Sequence, residues 1–152
     1  MRIVLQRVSK GAVRVDGETV ASIGSGLVLL VGFTHGDSEE TFARTAEKVV
    51  DLRIFEDESG KMNRSLHDTS GQIIAVPQFT LYGSTSKGRR PSFAHAAVPQ
   101  EASRLFTLFV DALRETGVPV QTGVFGAHME VDIENDGPVT FVLELAPPGQ
   151  RG

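Results

Sequence analysis

The chain has 152 residues, of which 40% are hydrophobic and 22% are charged, close to the averages of soluble globular proteins. This length predicts one domain over residues 1–152, with a core that needs no metal or disulfide to hold it. The absence of cysteine excludes a disulfide scaffold, a thiolate zinc site, an iron–sulfur cluster and a cysteine nucleophile. The net charge of −4, from 15 Lys and Arg against 19 Asp and Glu, argues mildly against a nucleic-acid partner.

Strands dominate the first part of the chain. Runs rich in Val, Ile and Leu predict strands at 2–8 and 12–15, and Asp16-Gly17 predicts a hairpin into a further strand. Gly24-Ser25-Gly26 then turns the chain into Leu27–Phe33. This last segment is apolar throughout, which favours a position in the centre of a sheet.

Two amphipathic helices are predicted by apolar residues at helical spacing. The first follows Asp37 or Ser38, and Asp37 has the spacing of a capping box with Glu40. The second begins after Pro99, a favourable first-turn residue, and is ended by Gly117 and Pro119. The apolar face of the first helix comprises Phe42, Ala46, Val49 and Val50.

The remaining elements are a strand at Gln72–Tyr82, a polar loop at Gly83–Pro91 and a fraying tail at Pro147–Gly152. Further strands are predicted at 119–124, 128–134 and 139–145. The order of elements predicts an α/β (α+β) fold, in which two amphipathic helices pack on one curved, mixed or antiparallel sheet or barrel. No apolar run has the length of a membrane helix, and no signal peptide is recognisable, so we expect a cytoplasmic protein.

Familiar catalytic motifs are missing. The sequence has no phosphate loop, no GxGxxG, no GxSxG and no HExxH. Four widely spaced histidines predict surface or loop positions rather than a metal cluster. They are His35, His67, His95 and His128.

Two short segments carry the clearest functional signal. In the first, Gln78 and Thr80 follow Pro77 and share one face of the predicted strand, so they line either a pocket or an ordinary edge strand. The second segment is Asn135–Thr140, which reads as a turn between two strands. Its Gly137-Pro138 pair is rigid and presents carbonyl oxygens that can approach a ligand closely.

A basic loop is the third feature. Lys87, Arg89 and Arg90 place three positive charges within four residues, and an aromatic residue, Phe93, follows them. The loop is either a solvated surface segment or a contact for phosphates. A local basic patch on an acidic chain is compatible with RNA.

Together these segments resemble the D-aminoacyl-tRNA deacylase family. The family has an SQxTL-type motif and, near the C-terminus, NxGPVT; the second is complete here at 135–140, and the first reads Pro77–Leu81. The start MRIVLQRVSKGAV, the loop KGRRPSF and the segment Gly123–Met129 resemble the family as well. The resemblance covers nearly the whole chain in matching order and spacing.

The resemblance implies hydrolysis of the ester between a D-amino acid and the terminal ribose of tRNA, with glycyl-tRNA as a second substrate. It implies a homodimer in which the Gly137-Pro138 segment, with a cis peptide bond, enters the pocket of the other subunit. The carbonyl oxygens of that segment would hold the substrate amino group and exclude an L side chain. No cofactor or metal and no membrane partner are implied.

The resemblance also assigns roles to single residues. Gln78, Phe79 and Thr80 form the catalytic segment: the backbone N–H groups near Phe79 and Thr80 serve as an oxyanion site, and Thr80 positions the substrate. The 2′-hydroxyl of the terminal adenosine assists water attack. The remaining residues contact substrate and tRNA: Met129 shapes the adenosine pocket together with Gln78, Arg7 orients the neighbouring strand, and the loop contacts tRNA through Lys87, Arg89 and Arg90.

One departure from the family pattern keeps alternatives open. The family's usual serine is Pro77 here, and a related group of animal tRNA deacylases that edits a wrong L-amino acid carries proline at that position. Phe79, Tyr82 and the KGRRPSF loop resemble the D-specific bacterial group. Editing of tRNA mischarged with L-alanine and a non-catalytic tRNA-binding module are the rival hypotheses, and a serine hydrolase is the least favoured.

Overall fold

The computed structural model describes residues 1–149. The main sheet contains six strands: β1 (Arg2–Val15), β2 (Glu18–Ile23), β3 (Gly26–Gly32), β6 (Gln72–Pro77), β7 (Val120–Thr122) and β8 (Glu130–Glu144). A separate hairpin pairs β4 (Phe55–Glu56) with β5 (Met62–Arg64). The helices are α1 (Phe42–Asp51), α2 (Leu66–Thr69) and α3 (Pro99–Glu115), with 3-10 turns at Glu39–Thr41 and Phe79–Tyr82.

The main sheet is mixed and curved. Its order is β2-β1-β3-β6-β7, and β8 pairs with the opposite edge of β1. The pairs of β1 are antiparallel, whereas β3–β6 and β6–β7 are parallel. The side-chain amide of Gln121 exchanges two hydrogen bonds of 2.8 Å with the backbone of Ser22, so β7 approaches β2 and the sheet nearly closes. The predicted α+β fold, with two amphipathic helices on a curved sheet, is confirmed.

The core lies mainly between the sheet and the helices α1 and α3. Phe42 of α1 packs edge-on against Phe109 of α3, with 5.4 Å between ring centroids. The central strand β3 is buried on both faces, as its unbroken apolar sequence predicts. Leu27 and Leu29 face the helices, whereas Val28 faces a smaller cluster on the other side of the sheet with Ile74 and Val76.

The N-terminus of the first helix differs from the prediction. Asp37 does not cap it, because its carboxylate accepts hydrogen bonds from the α-amino group of Met1 and from Thr34 N, both at 2.8 Å. The chain enters α1 through the 3-10 turn Glu39–Thr41, without a side-chain cap. The predicted helical face is correct, since its apolar residues are all buried.

Three predicted strand boundaries are wrong. The separate strands predicted at 2–8 and 12–15 are one strand, β1. The strand predicted to run to Tyr82 ends at Pro77, because the chain turns into a 3-10 helix after Gln78. The separate strands predicted at 128–134 and 139–145 are one strand, β8. Of the fraying tail predicted at Pro147–Gly152, residues 147–149 belong to the described part of the chain and residues 150–152 lie outside it. Among residues 1–149, no helix is long and apolar enough to cross a membrane.

Candidate active site

The turn Phe79–Tyr82 leaves the end of β6 and lies directly on β3. Gln78 N donates to Val31 O at 2.8 Å, which fixes the start of the turn. A Cβ atom added to Gly32 would lie 2.8 Å from Gln78 O, so glycine is needed for this close approach. The i→i−3 hydrogen bonds begin at Leu81 N. The N–H groups of Phe79 and Thr80 therefore have no acceptor within the turn, and both residues are exposed.

The side chains of Gln78 and Thr80 meet across this turn. Their predicted common strand face is wrong, because β6 has already ended, but the Gln78 side-chain amide donates to the Thr80 hydroxyl oxygen. In the described part of the chain, this amide is the only protein group hydrogen-bonded to the Thr80 hydroxyl. Neither a carboxylate nor an imidazole is bonded to this hydroxyl to serve as its base.

An apolar cleft of about 410 Å³ opens beside the turn. Phe79 packs edge-on against Phe93 at 5.1 Å between ring centroids, and both rings are exposed. Phe125 contributes a third aromatic side chain. No lining residue carries an ionisable side chain; the others are Pro77, Ala96, Ala97, Val98, Pro99, Ala102 and Gly126. The cleft therefore suits a flat apolar group rather than a charged one.

Sequence reasoning did not bring these three aromatic residues together. In the sequence, Phe93 stands beside the basic loop, and Phe125 lies in the separate segment Gly123–Met129. One sequence feature could have indicated the cleft. Phenylalanine occurs in segments rich in glycine, serine and proline, where no periodic pattern predicts a core residue. The contact between Phe79 and Phe93 depends on the hairpin between them, which brings Ser84 and Ser92 into pairing.

Met129 lies beside the end of β6. Its Sδ atom accepts from Val124 N at 3.3 Å, and a Cβ atom on Gly123 would lie 2.7 Å from that sulfur and 3.6 Å from Pro77 Cδ. The glycine therefore lets the thioether and the proline ring approach each other. Met129 is half-buried at the junction between β6 and the start of β8, close to the cleft residue Pro77.

The segment Asn135–Thr140 is a bulge within β8. Gln6 pairs with Thr140 and Val8 with Asn135, so four residues of β8 lie opposite Arg7 alone. The predicted turn between two strands is therefore wrong. The Asn135 side chain closes the bulge: its oxygen accepts from Val139 N at 3.0 Å, and its nitrogen donates to the Thr140 hydroxyl at 2.9 Å. The β-strand ladder resumes on both sides of the bulge.

Gly137 and Pro138 form the exposed tip of this bulge, and the peptide bond between them is cis. Gly137 has φ +132°, a conformation open essentially to glycine alone. A Cβ atom there would lie 2.7 Å from Val139 Cγ2 and 3.2 Å from Arg7 Nη2. Other residues are thus excluded from this position both by the backbone conformation and by its neighbours.

Arg7 holds the base of the bulge. Its side chain is buried, with 5% of the residue exposed. Nε donates to Asp136 O at 3.0 Å, and Nη1 donates to Ile54 O at 2.7 Å. The carboxylates of Glu56 and Asp136 lie 4.0 and 3.6 Å away and balance its charge. These contacts join Arg7 to the base of the bulge and to the residue before β4.

The bulge and the turn do not meet within one chain. Arg7, opposite the bulge, pairs with Leu27, whereas Pro77 before the turn pairs with Val31. Four residues along a strand correspond to about 13 Å, and the three strand spacings from β8 to β6 add about 14 Å in the other direction. The two segments are therefore separated on the sheet of a single chain.

The basic loop is a hairpin beside the cleft. Ser84 and Ser92 exchange backbone hydrogen bonds of 2.7 and 2.8 Å, and Phe93 follows directly. Lys87, Arg89 and Arg90 are exposed between them. Within residues 1–149, none of the ion pairs includes these three side chains. The loop therefore presents unneutralised positive charge next to the aromatic side chains.

Known proteins share both the sequence and this architecture. Residues 4–144 match the model of the D-Tyr-tRNA(Tyr) deacylase family. The D-aminoacyl-tRNA deacylase of Thermomicrobium roseum is 59% identical over 146 residues, which cover 96% of this chain and 95% of that protein. The D-aminoacyl-tRNA deacylase of Geobacter sulfurreducens is 55% identical over 144 residues, which cover 95% of each chain.

Solved structures agree with these sequence matches. A structure described as the c-Myc DNA Unwinding Element Binding Protein superposes with a TM-score of 0.90 at 40% identity, over 96% of this chain and 99% of the other. A probable eukaryotic D-amino acid tRNA deacylase superposes with a TM-score of 0.81 at 20% identity, over 95% of this chain and 98% of the other, which shows a common fold. The family match and the curated relatives together show that the chain belongs to the D-Tyr-tRNA(Tyr) deacylase family.

Proposed function

We propose that this protein hydrolyses the ester bond of D-aminoacyl-tRNA and of glycyl-tRNA, releasing the free amino acid and tRNA, and so proofreads chirality in translation. The observation that carries the proposal is the turn Phe79–Tyr82, whose first two residues are exposed and have N–H groups without an acceptor in the turn, and whose Phe79 lines an aromatic cleft. Family membership supports the reaction class. Because aminoacyl-tRNA is used in the cytoplasm, we propose that the protein acts there.

The cleft is the proposed site of the terminal adenine of tRNA. Bases stack on aromatic side chains with about 1–3 kcal/mol per base, and Phe79, Phe93 and Phe125 provide three such side chains. Gln78 and Met129 border the cleft at the end of β6 and would fix the position of the adenosine. Binding the base there would bring the aminoacyl ester to the turn.

The proposed chemistry needs no ionisable protein side chain. Water attacks the ester carbonyl carbon, assisted by the 2′-hydroxyl of the terminal ribose. The negative charge on the carbonyl oxygen is stabilised by the N–H groups of Phe79 and Thr80. The ribose 3′-oxygen then leaves and takes up a proton, which yields the free amino acid and tRNA. Thr80 positions Gln78 and the substrate rather than attacking, because its hydroxyl is bonded only to an amide.

Gly137 and Pro138 are the residues proposed to distinguish D-aminoacyl esters from L-aminoacyl esters. They form an exposed tip about 13 Å along the strands and 14 Å across them from the turn of their own chain, so we propose that they enter the cleft of a partner in a homodimer. Their carbonyl oxygens would hold the substrate amino group and occupy the space that an L side chain requires. Glycine has no side chain and would pass the same filter.

Lys87, Arg89 and Arg90 are the proposed contact for the tRNA backbone near its acceptor end. They are exposed, belong to none of the ion pairs found within residues 1–149, and precede Phe93, which lines the cleft. Positive charge at this position would draw phosphates to the cleft even though the whole chain carries a net charge of −4. The contact area would then be small and local.

The deciding experiment compares D-Tyr-tRNA, L-Tyr-tRNA and Gly-tRNA as substrates. We expect hydrolysis of the D-ester and the glycyl ester, with the L-ester spared. Equal hydrolysis of the two tyrosyl esters would overturn the proposal. L-Ala-tRNA against D-Ala-tRNA tests the editing of L-alanine suggested by Pro77, and salt-dependent tRNA binding without any cleavage would favour a non-catalytic binding module.

Mixed dimers test whether the two segments act across subunits. One variant carries Phe79→Ala and Gln78→Ala, and the other carries Gly137→Ala and Pro138→Ala. Each alone should be inactive, whereas a refolded mixture should recover about a quarter of the wild-type activity, since half of the dimers hold one complete site out of two. Absence of recovery with mixed dimers present would mean that the segments act within one chain.

A further inference from the structure

We propose that Arg2 is a positioning residue for this reaction: it holds the C-terminal end of the turn Phe79–Tyr82 and thereby aims the N–H groups at the other end. The inference rests on the proposed role of that turn as the oxyanion site. Arg2 lies outside the motifs at 77–81 and 135–140, at the start of β1, and its side chain reaches the turn directly.

Three contacts join Arg2 to the turn and to its own surroundings. Nη1 donates to Leu81 O at 2.6 Å. The guanidinium carbon lies 4.5 Å from the centroid of the Tyr82 ring, within the range of a cation–π interaction. Nε lies 2.8 Å from Glu144 Oε1, off the N–H axis, so this contact is an ion pair rather than a hydrogen bond.

The C-terminal end of the turn needs a hydrogen-bond donor from elsewhere in the chain. A 3-10 helix leaves its last carbonyl groups without partners unless the chain continues to supply N–H groups. Gly83 N donates to Thr80 O at 2.9 Å, but Ser84 N, the next donor in sequence, bonds to Ser92 O at 2.7 Å. The guanidinium of Arg2 therefore takes the place of the missing donor for Leu81 O.

Arg2 is itself held firmly. It pairs with Gly32 of β3 on one side and with Glu144 of β8 on the other. The preceding residue, Met1, is almost fully buried, and its α-amino group donates to Asp37 Oδ1 at 2.8 Å and to Leu145 O at 2.9 Å. Because the backbone of Arg2 is held by both neighbouring strands, its guanidinium sets the position of the turn and does not move with it.

The other supports hold the start and the underside of the turn, and leave its C-terminal end to Arg2. Gln78 N donates to Val31 O at 2.8 Å, and Gly32 lies beneath the turn. Without the guanidinium, Leu81 O loses its donor, so the turn can pivot about its fixed start and change the direction of the N–H groups of Phe79 and Thr80. Misaligned oxyanion donors weaken binding of the transition state but not of the ground state, so kcat falls while KM is kept.

The experiment compares Arg2→Met and Arg2→Lys with the matched control Arg14→Met. Arg14 lies on the same strand and also forms cross-strand ion pairs with β8, through Glu130 and Asp132, but it does not contact the turn. Lysine keeps the charge at position 2 and loses the planar fork that reaches the carbonyl and covers the ring. Each variant is assayed for kcat and KM on D-Tyr-tRNA and for stability in urea.

The only tyrosine of the chain gives a spectroscopic readout of the turn itself. The chain has one tyrosine, Tyr82, and no tryptophan. Its fluorescence therefore reports on the residue that Arg2 covers, and quenching by acrylamide, which is uncharged, measures how exposed the ring has become. A merely structural loss elsewhere would lower the urea midpoint without changing this signal in the native state.

We expect Arg2→Met to lower kcat about tenfold, less than the 10²–10³-fold loss of a whole oxyanion donor, with KM unchanged and quenching of Tyr82 increased. The kcat and the quenching of Arg2→Lys should lie between those of Arg2→Met and the wild type. Arg14→Met should match the wild type in both. If Arg2→Met does not fold, the inference is tested with Arg2→Lys. A wild-type kcat in Arg2→Lys would then overturn it.

Other outcomes separate this inference from the proposed function. An active wild type whose kcat is unchanged in Arg2→Met, or equally reduced in Arg14→Met, overturns the role of Arg2 and leaves the deacylase proposal standing. A loss of kcat with no change in Tyr82 quenching also overturns it. A wild type inactive on every D-aminoacyl-tRNA would overturn the proposed function and this inference with it.

Discussion

Arg7 Nε donates to the carbonyl oxygen of Asp136 at 3.0 Å, across 129 residues of sequence. This bond joins β1 to the base of the bulge that carries Gly137 and Pro138. The opposite side of the same guanidinium bonds to Ile54 O at 2.7 Å and so anchors the β4–β5 hairpin. One buried cation therefore holds two segments that are distant in sequence, the bulge and the residue before β4.

Arg7→Met is expected to lower the free energy of unfolding by about 2 kcal/mol, because two carbonyl oxygens lose their donor inside the fold. Urea unfolding measures the change. Arg14→Met is the control, since it removes an exposed pair, which typically contributes less than about 1 kcal/mol. Equal losses in the two variants would contradict a special role for the buried guanidinium.

Thr80→Val is expected to lower kcat by about tenfold, far less than the roughly 10⁶-fold effect of losing a nucleophile. Valine keeps the shape of threonine and removes only the hydroxyl that the Gln78 amide contacts. Single-turnover hydrolysis of D-Tyr-tRNA with acid quench measures the rate and any acyl-enzyme. A covalent intermediate in the wild type, absent in Thr80→Val, would show instead that the Thr80 hydroxyl is a nucleophile.

Replacing Lys87, Arg89 and Arg90 together by glutamine is expected to weaken tRNA binding and to flatten its salt dependence. Removing three phosphate contacts should reduce the slope of log K against log salt by roughly 2–3. The control replaces Arg44, Lys48 and Lys61, which are also exposed and absent from the ion pairs of the described residues. The same change of slope in both triple variants would mean that only the total charge matters.

His67 is expected to make the stability pH-dependent. Its Nε2 lies 2.9 Å from Thr116 O and its Nδ1 lies 3.2 Å from Asp51 Oδ1, and these contacts raise the pKa of His67. The folded state therefore binds the proton more tightly than the unfolded state, so the contribution is complete below the unfolded pKa of about 6.5. It is lost as the pH rises through the higher folded pKa.

Urea unfolding between pH 5.5 and 8.5 checks this prediction. The wild type should lose stability as the pH rises through this window, and His67→Gln should lose less. His128→Gln removes another exposed histidine and serves as the control. A pH profile for His67→Gln that is parallel to that of the wild type would show that the link between α1, α2 and α3 does not depend on protonation.

Local patterns were sufficient wherever the physical cause is local. The helical spacing of Phe42, Ala46, Val49 and Val50 predicts the buried face of α1 correctly, and Pro99 marks the start of α3. The unbroken apolar run of β3 predicts burial on both faces. In each case the period of the side chains and the conformational limits of proline act within a few residues.

The candidate site was predictable only as separate pieces. The sequence identifies the segments at 77–81 and 135–140 and their family resemblance. It does not show that Pro77 ends β6, because that depends on how Gln78 bonds to Val31 of the neighbouring strand. Nor does it show the aromatic cleft, because Phe79, Phe93 and Phe125 meet only after the hairpin and the sheet have formed.

By itself, the sequence determined the types of the main elements, the family and the residues of the two motifs. The tertiary structure alone decided that Asn135–Thr140 is a bulge rather than a turn, since the alternative depends on pairing with Gln6 and Val8 more than 120 residues away. It also decided that Arg7 is buried and that Arg2 reaches Leu81. Register and burial are set by contacts distant in sequence, and no local period of side chains encodes them.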